Sequence, residues 1–215
     1  MIPKLLHYVW LGSKKNELVH MCIDSFHKYM NDYRIIEWNE SNIDISTFND
    51  NEQLFYNKNY KAKKYAFCSD LVRLHVLKDY GGVYVDTDVE FIKHMPDEFL
   101  NHPIIARINP NCTVCNGCIW GCEKDDSLVL KMINEFSNKI ETSFKSHGKT
   151  WIFNTLLKDL FNTNGDTNDN SNIISVLGYK VYPTEYFCPM NSRTKEIHIT
   201  NNTISIHHFD SSWKG

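Results

Sequence analysis

Three features of this 215-residue chain predict an α/β fold: an open, mostly parallel sheet with helices on its faces. Short apolar runs alternate with stretches of helical periodicity through the first half of the chain, the order that a parallel sheet requires. The pair Gly81-Gly82 closes the longest helical stretch, as glycine commonly closes helices. Hydrophobic residues make up 42% and charged residues 23%, enough apolar material for one buried core and too few charges for a disordered chain.

Residues 5–10 read as a first strand, turned by Leu11-Gly12. Leu18, Met21, Cys22 and Phe26 recur at helical spacing, which predicts a helix over 17–29. Residues 34–38 are a second strand, and 39–59 are polar and poorly periodic, a loop holding a short helix. The spacing over 61–80 predicts the longest helix. Short strands follow at 83–85, 89–92 and 104–108, with a loop over 109–116. Residues 127–144 and 150–161 read as helices, and the Asn/Asp-rich tract 162–172 as a mobile surface loop. One or two strands lie in 173–182, and alternating Ile204 and Ile206 predict a last strand over 203–207. No internal repeat is visible, so one domain is expected, with the first 92 residues forming one half and 93–215 the other.

The net charge is −3 and no basic stripe exists, which argues against nucleic acid as a partner. The first residues have too short an apolar run, broken by Lys4 and His7, to act as a secretory leader. No run reaches the roughly 18 apolar residues of a membrane span. A cytoplasmic enzyme is expected, with peripheral attachment to the inner membrane face left open. Aromatic residues make up 13%, and five tryptophans suggest rings that stack on ligands as well as rings in the core.

Seven cysteines, an odd number, do not suggest a disulfide framework. Cys112, Cys115, Cys118 and Cys122 show the C-x2-C-x2-C-x3-C spacing of ferredoxin ligands, but Glu123 stands where proline usually follows. The same segment reads as a buried strand over 117–121 with Cys118, Trp120 and Cys122 on one face, and this packing role is the expectation.

Chemistry concentrates in Tyr80-Gly-Gly-Val-Tyr-Val-Asp86-Thr-Asp88. Two carboxylates one residue apart, just past an apolar strand, can share one hard cation. Such a cation can bridge the phosphates of a nucleotide diphosphate and neutralise a leaving group. A turn with two solvated acids is the plainer explanation. Upstream, Asp70 and Arg73 share a helix face, either as an exposed ion pair worth about 0.3–0.5 kcal/mol or as ligand-binding groups.

Together, Ile2-Pro-Lys-Leu-Leu-His-Tyr-Val-Trp10, Ala66-x-x-Ser-Asp70-x-x-Arg73, the segment ending in Asp86-Thr-Asp88, and Ile206-His-His-Phe-Asp-Ser-Ser-Trp213 resemble the family 32 glycosyltransferases. That family includes capsule and polysaccharide enzymes, and the clostridial glucosylating toxins are more distantly similar. The resemblance is densest over 1–92 and returns at 203–214. It implies a Rossmann-like GT-A fold and a metal-assisted, retaining transfer of a hexose from a nucleotide diphosphate sugar, UDP-linked first, to a glycan or other hydroxyl acceptor. It implies Trp10 stacking on the donor base, Asp70 and Arg73 holding sugar and ribose, and Asp86 and Thr87 contacting the donor. Asp86 and Asp88, with His207 or His208, would bind Mn²⁺ or Mg²⁺, and Ser212, Trp213 and Lys214 would close over the diphosphate. The cysteine-rich stretch 112–122 departs from the family pattern, so no acceptor residue carries over, and Asn116 and Asn154 are candidates beside the anomeric carbon without a matching motif. The competing readings are a nucleotide-sugar hydrolase or nucleotidyltransferase, for which Leu11-Gly-Ser-Lys-Lys15 is a poor phosphate loop, and an iron–sulfur or zinc module on Cys112 to Cys122.

Overall fold

A computed structural model describes residues 1–12, 14–108, 114–143, 152–166 and 170–210. The first strand, β1 (Leu5–Val9), runs into helix α1 (Glu17–Tyr29), whose start is fixed by the Asn16 side chain accepting from the Val19 N–H at 2.9 Å. Its Val19, Cys22 and Phe26 are buried. Strand β2 (Arg34–Trp38) then pairs in parallel with β1.

The helix expected within the polar stretch 39–59 is there, and it is longer than a short one: α2 spans Asp50–Lys61. A capping box supplies its start: the Asn49 side chain accepts from the Glu52 N–H, and the Glu52 carboxylate accepts from the Asn49 N–H. Only a narrow stripe, including Phe55 and Tyr56, enters the core, which leaves the sequence polar overall. The long helix expected over 61–80 is shorter. It is α3 (Tyr65–Tyr80), separated from α2 by Ala62-Lys63-Lys64 with Lys63 at φ 56°. Helix α3 is buried around its middle turns, where Cys68 and every residue from 71 to 77, Arg73 and His75 among them, are enclosed.

The following elements are β3 (Gly82–Tyr84), β4 (Val89–Phe91), β5 (Ile104–Arg107), β6 (Val114–Cys122), α4 (Ser127–Ser143), α5 (Ile152–Thr163), β7 (Ile174–Val176), β8 (Tyr179–Tyr182), α6 (Thr184–Phe187) and β9 (Ser205–His207). Seven strands form one sheet in the order β2-β1-β3-β6-β5-β8-β7. β1 is parallel to β2 and β3, and β5 to β8, while β6 opposes both β3 and β5, and β7 opposes β8. The sheet is therefore mixed but mostly parallel. The last strand does not join it: β9 pairs with β4 in a separate two-stranded sheet, Val89 opposite His207.

Apolar side chains pack on both faces of the large sheet. One core gathers α2, α3, α4 and α5 with Trp120 and Cys122; the other gathers α1, β4 and α6 with Cys115, Cys118 and Ile119. The shared face expected for Cys118, Trp120 and Cys122 is thus split. Ile105 pairs with Trp120 but Ala106 pairs with Cys115, so β6 carries an irregularity between them that turns Cys118 to the opposite core. Asp166, in the described part of the tract 162–172, grips the fully buried Arg107 through Nη1 and Nη2 at 3.1 and 2.5 Å. Among the described residues no helix is long and apolar enough to cross a membrane.

Candidate active site

The carboxyl end of β3 and the middle of α3 meet at Arg73. Its guanidinium is buried, with Nη2 at 2.6 Å from Asp86 Oδ1 and Nη1 at 3.0 Å from Asp70 Oδ1. The Asp70 contact is an ion pair without hydrogen-bond alignment, and Arg73 Nε has no acceptor among the described residues. Tyr84 lies under the same group: its ring centroid is 4.3 Å from Arg73 Cζ, and its hydroxyl donates to Asp86 Oδ1 at 3.2 Å. Burial opposes the guanidinium charge, but Asp86, Tyr84 and Asp70 outweigh it and hold Arg73 more firmly protonated than usual. The exposed surface pair is therefore excluded: Arg73 is a buried cation fixed between two carboxylates.

The second acid stands two residues further on, in the same turn. Asp88 Oδ1 is 3.1 Å from His207 Nε2, and Asp88 Oδ2 accepts from the Asp210 N–H at 3.0 Å. The His208 N–H donates to the Asp88 carbonyl at 2.9 Å, which fastens the end of β9 to the turn after β3. Burial pushes the Asp88 carboxyl up, yet His207 outweighs this and lowers it to about 2. Burial likewise disfavours the imidazolium, but Asp88 raises His207 well above its ordinary range. Ligand atoms of Asp86, Asp88 and His207 lie within 4.8 Å of one another. Behind His207, its Nδ1 is 3.9 Å from Cys188 Sγ. Burial pushes the Cys188 thiol up, but Cys118 and His207 prevail and hold it down to about 6.

Backbone geometry sets the two acids. The Asp86 N–H donates to the Gly117 carbonyl at 2.8 Å, and the Val89 N–H donates to the Asp86 carbonyl at 3.1 Å, closing the Asp86–Val89 turn. Gly117 abuts the first acid so closely that a Cβ there would stand 1.8 Å from Asp86 Oδ2.

Of the residues expected to act, Asp70, Arg73, Asp86, Asp88 and His207 come together. Thr87 is half-buried in the turn between the acids. Trp10 follows β1, its N–H donating to the Trp38 carbonyl at 2.9 Å and Lys15 Nζ standing 5.9 Å from its ring centroid. His208 turns away from the cluster to Glu90, at 2.8 Å. Asn116 and Asn154 lie on β6 and α5, their side chains outside the described residues, as are Cys112, Ser212, Trp213 and Lys214. Sequence reasoning missed Tyr84, Gly117 and Cys188. Tyr84 was accessible, since strand alternation puts it on the face of Asp86; nothing local marks the other two.

Residues 16–107, which hold Asp70, Arg73, Asp86 and Asp88, match the family described as "Glycosyltransferase sugar-binding region containing DXD motif". An uncharacterized glycosyltransferase, L373, of Acanthamoeba polyphaga mimivirus is 23% identical over 211 residues, 94% of this chain and 72% of that protein. The "Subversion of eukaryotic traffic protein A" of Legionella pneumophila is 23% identical over 170 residues, 66% of this chain but only 26% of that larger protein. Among solved structures, a glycosyltransferase involved in glycosylation of the major capsid of PBCV-1 superposes with a TM-score of 0.51 over 98% of this chain and 96% of its own, at 12% identity. The PaToxG glycosyltransferase superposes with a TM-score of 0.55 over 74% of this chain and 69% of its own, at 19% identity. At these identities the solved structures establish a shared GT-A fold.

Proposed function

Taking the chain as a glycosyltransferase whose residues 16–107 form the DXD-containing sugar-binding region, we propose that it moves a hexose from a nucleotide diphosphate sugar, UDP-linked in first place, to a glycan or other hydroxyl acceptor, with divalent-metal assistance and retention of configuration. The observation that carries this reading is the convergence of Asp86, Asp88 and His207 within 4.8 Å, braced by Arg73. Two carboxylates and an imidazole fit a divalent ion of intermediate hardness, and the imidazole favours Mn²⁺ over the oxygen-seeking Mg²⁺. When bound, the ion supplies positive charge for the diphosphate and the departing nucleotide.

The chain's own residues do the rest. Arg73, locked by Asp86 and Tyr84, fixes the first acid in one rotamer and leaves its Oδ2 for the donor side. Asp70, held beside Arg73 and a fifth exposed, is assigned to a ribose or sugar hydroxyl. Trp10 offers a ring for the base at the end of β1. Ser212 and Trp213 are assigned to the diphosphate on the strength of the family resemblance, and Lys214 because a flexible ammonium suits a phosphate; Asn116 and Asn154 are candidates for the reacting carbon without a family motif behind them. A front-face displacement suits this set, since no carboxylate is marked as a covalent nucleophile. Residues 1–92 then form the donor half and 93–215 the acceptor half.

A thermal-shift panel of UDP- and GDP-sugars with and without Mn²⁺ tests the donor; a ligand at a hundred times its Kd adds about 2.7 kcal/mol to stability. Product analysis with the best donor then separates transfer from its rivals. Sugar on an acceptor supports the reading; free sugar alone, or pyrophosphate release, overturns it.

A further inference from the structure

Behind the acidic cluster, three buried groups converge from distant parts of the chain, and the proposed transfer gives its two thiols nothing to do. Cys118 is turned inward by the irregularity of β6, Cys188 directly follows α6, and His207 ends β9. Their exposures are 0%, 2% and 6%. One ligand atom from each lies within 4.8 Å of the others, and Cys188 Sγ stands 3.9 Å from His207 Nδ1. The two thiols also interact with each other, and each makes a long contact to a backbone carbonyl, Cys118 to Phe187 at 3.3 Å and Cys188 to Ile108 at 3.5 Å.

We propose that Cys118, Cys188 and His207 Nδ1 form a site for a soft divalent cation, Zn²⁺ first, distinct from the Asp86–Asp88 pair. Tetrahedral Zn²⁺, with bonds of about 2.3 Å to sulfur and about 2.0 Å to nitrogen, places its ligand atoms about 3.5–3.8 Å apart. The observed cluster needs only a small contraction to match. Binding requires Cys118 and Cys188 as thiolates and His207 Nδ1 without its proton, so any protons these three atoms carry leave to solvent as the metal–sulfur and metal–nitrogen bonds form. The fourth position falls to water or to Cys115, which is buried in the same core. The spacing of Cys112, Cys115, Cys118 and Cys122 does not itself build this site: Cys122 faces the other core, and the partner comes from 70 positions downstream as Cys188.

The site also touches the donor reading. His207 presents Nδ1 to the thiols and Nε2 to Asp88, at 3.1 Å. A cation on Nδ1 leaves the proton on Nε2, which then donates to Asp88 and is lost as a ligand for the Asp86–Asp88 cation. Zn²⁺ is therefore expected to suppress Mn²⁺-dependent donor binding, an effect that rests on the function proposed above.

Co²⁺ titration of the full chain, kept reduced by a phosphine, tests the site without reference to activity. One equivalent is expected to give the intense visible bands of tetrahedral Co²⁺ with a thiolate charge-transfer band, and one equivalent of Zn²⁺ to abolish both. Cys118→Ser with Cys188→Ser should lose the charge-transfer band, while Asp86→Asn keeps it. A wild-type chain that shows only the pale octahedral spectrum overturns the site, whether or not the variants fold. So does a charge-transfer band that survives in the double variant. A normal thiolate spectrum without loss of Mn²⁺-dependent donor binding overturns the coupling and leaves the soft-metal site standing.

Discussion

Arg73 Nη2 and Asp86 Oδ1 stand 2.6 Å apart, joining the middle of a buried helix to the end of the adjacent strand. Two motifs that are separate in the sequence thereby act as one rigid unit: the helix holds the cation, and the cation holds the acid. A fluctuation of the acid must break a charge-assisted bond in a buried setting.

Replacing Arg73 by Met keeps most of the volume and removes the buried cation. Asp86 and Asp70 would then face each other without it. We expect a loss of roughly 3–5 kcal/mol in urea unfolding, the usual cost of breaking a buried pair from one side. A loss under about 1 kcal/mol would show that the pair is solvated in solution.

Asp88→Asn is expected to preserve the fold while removing Mn²⁺-dependent stabilisation by the donor. Transfer should fall by more than about 100-fold in kcat/KM, since several kcal/mol of leaving-group stabilisation depend on the ion. Circular dichroism checks the fold and initial rates check the chemistry. Activity within tenfold of wild type would remove Asp88 from the ligand set.

His7 supplies a pH dependence. It is buried in β1, where the Trp38 indole N–H donates to its Nδ1 at 3.1 Å and its Nε2 donates to the Gly81 carbonyl at 3.0 Å. These contacts use the neutral ring, and burial lowers its pKa to about 4 despite the opposing Gly81 bond. The unfolded chain takes up this proton near pH 6.5, whereas the folded chain refuses it until about 4. His7 thus leaves stability intact above pH 6.5 and drains it as pH falls toward 4, by up to about 3 kcal/mol. His7→Gln, which can keep both hydrogen bonds, should flatten the stability profile across that window. An unchanged slope between pH 7 and 4.5 would contradict the assignment.

The Asp210 N–H already caps Asp88 Oδ2, so the chain continues directly from the acidic cluster. Deleting residues 211–215 is expected to leave the apo melting temperature nearly unchanged and to weaken donor binding in the presence of Mn²⁺ by at least about tenfold, or about 1.4 kcal/mol. Isothermal titration with a UDP-sugar measures this directly. Equal affinity in the truncated and full chains would withdraw Ser212, Trp213 and Lys214 from the site.

Helix α3, strand β3 and the acids that follow them were legible in the sequence because their signals are local: a sustained helical period, a glycine stop and an apolar run ending in acids. For helix α2 only its presence was legible and not its bounds, although Asn49 and Glu52 spell its capping box, because its apolar stripe is narrow. The pairing of β9 with β4 joins positions more than a hundred residues apart and leaves no local trace, so the choice between His207 and His208 stayed open. The structure turns His207 to Asp88 and His208 to Glu90. The irregularity of β6 defeated the simple alternation of faces, and with it the expected companions of Cys118.

Gly117 contributes no side chain to the site, and its importance lies in the room it leaves. One added carbon would stand 1.8 Å from Asp86 Oδ2, and the carbonyl of the same residue receives the Asp86 N–H at 2.8 Å. In a saturation scan for activity, position 117 should look as intolerant as the acids themselves, with alanine rejected nearly as firmly as tryptophan. Such a profile, flat across side-chain size and chemistry, separates a position selected for emptiness from one selected for a functional group. It would be misread as a catalytic residue by any ranking that scores tolerance alone.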